Sequence, residues 1–174
     1  MGGAVRVPQL NEGWGDGVVT GVNEGGLGGS GTGPPTSIGF EQFEVEADVG
    51  IRAWGPTREE AFAQAALGVL SLVADPASVS PRETREVRAQ ADGPETLLVA
   101  WIDECLYVHE IEAFVVSRVD VMSCSESVVL GRLHGEPIDA TRHRLGTVVK
   151  AATLHGVSVQ RRDGQHEVQI VVDV

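Results

Sequence analysis

The spacing of apolar and polar positions changes period at Gly55-Pro56. Ahead of that break, Phe43, Val45, Ala47, Val49, Ile51 and Ala53 alternate with Glu44, Glu46, Asp48, Gly50 and Arg52. Period two is that of a half-buried β-strand, or of two strands in line, with the acids turned to solvent. Beyond the break, Ala61, Phe62, Ala65, Ala66, Val69, Leu70 and Val73 fall at helical spacing and make a broad apolar stripe. Thr57 is placed to cap that helix, and Glu60, three residues on, completes a capping box. A strand delivers an apolar face and a helix arrives to cover it.

The rest of the chain repeats these two periods. Residues 84–91 alternate as a second strand. Asp92 reads as the cap of a second helix, with Pro94 in its first turn and Glu95 close behind. Leu97, Leu98, Trp101, Ile102, Cys105 and Val108 form its stripe, so Trp101 and Tyr107 read as core and its rim. From Ile111 the pattern is β-rich. Residues 111–122 and 127–133 read as a hairpin around a turn at 123–126. A polar loop follows over 135–144. A strand over 148–152 is bent at Gly156 and resumes over 157–160, Asp163-Gly164 is a turn, and residues 166–174 close the fold. Two helices and about seven strands predict an α+β domain, a mixed sheet with the helices packed on it.

Composition sets the domain boundary. Of the 174 residues, the first 38 differ in kind. Gly25-Gly26, Gly28-Gly29, Gly31 and Pro34-Pro35 crowd together, a composition that does not offset the entropy of ordering. Residues 1–38 are expected to be a disordered tail, with Trp14 isolated in it, and residues 39–174 the domain. Gly25-x-x-Gly28 has no strand before it and no helix after it, so it is no phosphate loop.

The formal net charge of -12 argues against direct grip on nucleic acid, which needs a cationic surface. It suits a cation, a basic protein partner or plain solubility. Cys105 and Cys124 have no metal-ligand spacing and read as free thiols in a reducing compartment. No apolar run reaches membrane-spanning length and no signal peptide is evident, so the expectation is cytoplasmic.

Candidate chemistry gathers at the last strand. Val168, Ile170, Val172 and Val174 are its apolar set, with Asp173 on the other face. Asp48 is likewise opposite its strand's apolar set. If the two strands are neighbours, both carboxylates converge beside the main-chain oxygens of Val174. Oxygens without nitrogen or sulfur suit Ca²⁺ or Mg²⁺. His143 and His155 could in principle pair with Asp139 or a serine for acid-base work. There is no G-x-S-x-G elbow, no H-E-x-x-H and no cysteine nucleophile motif, so no catalytic residue is assigned.

The chain also resembles the archease family. Glu44-Val45-Glu46-Ala47-Asp48, Gly55 and Glu60-Ala61-Phe62 resemble its opening motif, with Val45 and Glu46 where the family has His and Thr. Val149-Lys150-Ala151-x-Thr153-x-His155 and the Asp173-Val174 ending resemble its closing motifs. Gly135-Glu136, Asp139 with His143, and Asp92 to Leu98 with Trp101 add to the likeness, which runs from about Phe40 to Val174. The resemblance implies a non-enzymatic accessory protein that promotes guanylylation and turnover of an RtcB-type RNA-splicing ligase. The GTP and manganese chemistry belongs to that partner. It further implies a divalent cation, usually taken as calcium, held by Asp48, Asp173 and a main-chain oxygen of Val174. Lys150, His155 and His143 would line the partner face. Two alternatives stand beside it: a small metal-dependent hydrolase using Asp48, Asp173 and His155, and a chaperone-like binding module with a structural cation.

Overall fold

The computed structural model describes residues 37–174; the expectation of a disordered tail, Trp14 included, concerns residues that lie outside these but for the last two. In chain order come β1 (Gly39–Val45), β2 (Asp48–Gly55), α1 (Arg58–Val73), a 3-10 turn (Pro76–Ser78), β3 (Glu83–Gln90), α2 (Pro94–Glu112), β4 (Phe114–Cys124), β5 (Val128–Pro137), β6 (Ala151–Arg162) and β7 (Gln165–Asp173).

Seven strands and two helices give the expected α+β class. The strands divide, however, into two sheets, β1-β2-β7-β6 and β3-β5-β4. Every ladder between these strands is antiparallel, so a single mixed sheet is corrected to two antiparallel ones. The reason is legible in α1. Ala61, Phe62, Ala63, Ala65, Ala66, Gly68, Val69 and Leu70 are all buried, which leaves too little polar surface for a solvent face. A helix apolar on most sides needs cover on both flanks. It rests on β1, β2 and β7 on one side and on β4 on the other, while α2 lies between β6 and β3. Gly68 permits the close approach, since a Cβ there would fall 2.7 Å from Ile51 Cγ2. Trp101, fully buried, joins the two helices by donating its indole N–H to the Phe62 carbonyl at 3.1 Å.

The strand expected from Phe43 through Ala53 is instead a tight hairpin. Val45 pairs with Asp48, and Glu46, at the first turn position, takes a left-handed φ of 50°. A two-residue turn inverts parity: Phe43 pairs with Gly50, not with a position on the Val49 face. Phe43 and Val45 therefore lie on the outer face. The Phe43 ring lies over Gly50, where a Cβ would fall 2.2 Å from it, and the Arg52 guanidinium sits 5.4 Å from its centroid. Val49, Ile51 and Ala53 do face the core, and Phe40 joins them.

The Thr57 capping box forms as expected, Glu60 N–H to the Thr57 hydroxyl at 3.2 Å and Thr57 N–H to the Glu60 carboxylate at 3.1 Å. The second cap differs. Gly93, at φ 101°, is the N-cap of α2 and no side chain caps it; its positive φ leaves Asp92 one residue outside. At its other end α2 runs to Glu112 before Ala113 closes it in a left-handed turn. Ile111, expected in a strand, is thus helical and exposed. Among the described residues, no helix is long and apolar enough to cross a membrane.

Candidate functional site

Asp48 opens β2 straight after the tight turn, and Asp173 ends β7. These strands are neighbours, with Val49 opposite Val172 and Ile51 opposite Ile170. The ladder begins at Val49 and Val172, and Asp48 and Asp173 are the next residue on each strand. Val49 and Val172 point into the core, so alternation turns both acids to the outer face. Directly opposed side chains in an antiparallel pair have Cβ atoms about 4.5–5.5 Å apart. Two carboxylates that close repel by about 1 kcal/mol in water and about 4 near a protein surface.

Lys150 is the cation beside them. Its main-chain N–H donates to the Asp173 carbonyl at 2.9 Å. Its Nζ donates to the Val174 main-chain oxygen at 3.2 Å and lies 3.7 Å from Asp173 Oδ1. Among the described residues no group of three or more His, Cys, Asp or Glu side chains could hold a metal ion. Asp48 and Asp173 supply two donors, and a third has to come from main chain, as Val174 could provide. Two carboxylates and a carbonyl-type oxygen on an exposed rim fit a hard cation that keeps part of its water. They offer nothing to a soft one.

His155 lies where β6 leaves its register with β7, between Thr153 and Ser158. Gly156, at φ 66°, turns the bulge, and its carbonyl accepts from Gln169 Nε2 at 2.8 Å. His155 is exposed there, on the strand that carries Ala151 opposite Asp173.

His143 is in a different place. Its side chain is fully enclosed, so it cannot itself touch a partner. The Asp139 main-chain N–H donates to Nδ1 at 2.9 Å, which fixes the proton on Nε2. That nitrogen donates to Glu136 Oε1 at 2.9 Å. Glu136 is the hub that sequence reasoning passed over. Its Oε1 also accepts the Ser80 N–H at 3.0 Å, and its Oε2 faces Arg142 at 3.1 Å and Arg82 at 3.4 Å. The Ser80 N–H first, then His143 and Arg142, hold the Glu136 carboxyl down at about 2. The Asp139 carboxylate serves Thr141 and Arg142 rather than His143, and the Thr141 hydroxyl chiefly holds it at about 2. A Glu seven residues before a His, with an Arg beside the His, was the available signal.

The two thiols are free. Burial pushes both up, Cys124 to about 11, so neither is a ready nucleophile.

Residues 40–174 match the model of the Archease protein family. A protein archease of Saccharolobus islandicus is 42% identical over 136 residues, which span 78% of this chain and 98% of that one. A protein archease of Sulfurisphaera tokodaii is 36% identical over the same shares. Neither is named as an enzyme. The solution structure of Methanobacterium thermoautotrophicum protein 1598 superposes with a TM-score of 0.64 at 29% identity, over 78% of this chain and 98% of that chain. The chain belongs to the archease family.

Proposed function

We propose that the chain is an accessory protein for an RtcB-type RNA ligase, promoting its guanylylation and turnover, and that it carries a divalent cation, Ca²⁺ by preference, at Asp48, Asp173 and Val174. The observation that carries the reading is the acid pair on adjacent strands, turned outward together with one lysine between Asp173 and Val174. Two like charges at the same end of adjacent strands repel each other unless something binds them. A cation there would anchor oxygens of a partner or its nucleotide. Lys150 and His155 flank the place from β6 and the residue before it. His143 supports the neighbouring loop from inside. In this reading the bond-making chemistry falls to the partner, in keeping with two thiols that burial pushes up.

The experiment is ligase guanylylation under multiple turnover, with and without the protein. The expected result is a faster reaction with wild type and loss of that gain with Asp48→Asn, while the protein alone neither joins RNA nor hydrolyses phosphate esters. Equal ligase rates with and without the protein overturn the reading.

A further inference from the structure

Two large apolar side chains stand in solvent on α2. Tyr107 is 56% exposed and Ile111 60%, although the same helix buries Leu97, Leu98, Trp101 and Ile102 completely. Their spacing of four stacks them on one stripe. Glu104 and Glu110 flank the stripe, both exposed, and neither forms an ion pair among the described residues. The stripe begins at Asp103, whose Oδ1 accepts the Ala152 N–H at 2.9 Å.

That last bond ties the start of the stripe to the edge of β6 and limits what can dock. Ala152 belongs to β6, the outer strand of its sheet. Asp103 therefore occupies an edge donor that an added strand would need. The bulge between Thr153 and Ser158 interrupts the same edge further on. With the edge closed, a partner is met by side chains. Ala151, one residue back along β6, is paired with Asp173, so β6 lies between Asp103 and the strand that carries Asp173. The stripe is apolar along its middle, with Tyr107 and Ile111, and acidic at its sides, with Glu104 and Glu110, on a chain of net charge -12. Such charge repels phosphate and draws lysine and arginine, and a half-exposed Tyr is a good anchor for a pocket.

We propose that Glu104, Tyr107, Glu110 and Ile111 form the docking face for the protein partner, with Tyr107 and Ile111 entering an apolar pocket ringed by basic side chains. The inference rests on the ligase-accessory reading and names the surface through which it acts. The test is the affinity of the full chain for the purified cognate ligase at low and high salt. Tyr107→Ala with Ile111→Ser is expected to weaken binding by about tenfold or more. Glu104→Lys with Glu110→Lys, at exposed positions that leave the apolar pair intact, is expected to weaken it and flatten its salt dependence. Melting temperature and its response to Ca²⁺ stay those of wild type in the second pair, which keeps the test valid if the first pair unfolds. Wild-type affinity and salt dependence in the charge-reversed pair overturn the docking face. Failure of wild type itself to bind the ligase overturns the ligase reading beneath it.

Discussion

The molecule treats its acids in two opposite ways. Glu136 is enclosed and receives a main-chain N–H, a histidine N–H and two guanidinium groups. Asp48 and Asp173 lie at the same end of adjacent strands, just past the Val49–Val172 pair, with Lys150 beside Asp173. The first carboxylate is surrounded by more positive charge than it carries, the second pair by less. A fold gains from the former arrangement because a buried charge must be matched. It gains nothing from the latter, which is where a ligand can make up the difference. Unmatched charge at the surface, and not the presence of charge, separates the candidate site from the scaffold.

Removing the hub should break the scaffold side of this contrast most severely. Glu136→Ala leaves Arg82, Arg142 and the His143 N–H without their common acceptor, and is expected to lower the melting temperature by on the order of 10 °C. The same residue sets an acid limit. The folded chain keeps Glu136 ionised down to about 2, whereas the ordinary value is 4.5. Between those values the unfolded chain binds more protons, so stability is full above pH 4.5 and declines as pH falls toward 2. Asp139, held at about 2 against 3.8, adds to the decline in the same direction. In an acid titration followed by circular dichroism, Glu136→Gln should show a shallower fall than wild type. An equal slope would mean that Glu136 is no better matched than the exposed pair.

The surface side is where the proposed cation site is put to the test. At tenfold excess over Kd, Ca²⁺ should stabilise wild type by about 1.4 kcal/mol, or about 4 °C in melting temperature. Asp48→Asn should lose most of that shift and melt no lower than wild type in chelator, because one repulsion is gone. Equal shifts in both proteins would make Asp48 an ordinary solvated acid. The smallest effect belongs to Lys150→Gln. The lysine and Asp173 are both well exposed, so the pair is worth at most about 1 kcal/mol, and melting in chelator should hardly change. Calcium titration should instead show tighter binding, since a competing positive charge has left. Weaker binding would show that Lys150 positions the acids rather than competes for them.

The period-two and helical patterns were enough to find both helices, most strands, the Thr57 box and the outward placement of Asp48 and Asp173. They could not show the hairpin at Glu46-Ala47. That turn carries no Gly or Asn, and a two-residue loop preserves alternation along the chain while reversing it in space. They likewise could not divide the strands between two sheets, because a strand's own pattern names its buried face and not the layer opposite. Residues joined by local spacing, such as Thr57 with Glu60, were readable. Glu136 with Arg82 and Ser80 was not, since those groups meet only through the ladders that bring β5 beside β3. Ile111 reads as strand because a helix with an exposed apolar end has no clean period there.

β7 lies between β2 and β6, and this order has a consequence for how the protein comes into being. The β1–β2 hairpin is local and can close within microseconds, so Asp48 is in place early. Asp173 reaches it only when a strand from the far end of the sequence inserts into the middle of the sheet, a slow, non-local step. Any nascent, truncated or misassembled form that lacks this insertion lacks the paired carboxylates. Cation affinity would then serve as a readout of completed assembly, and a partner that recognises the site would ignore every unfinished copy.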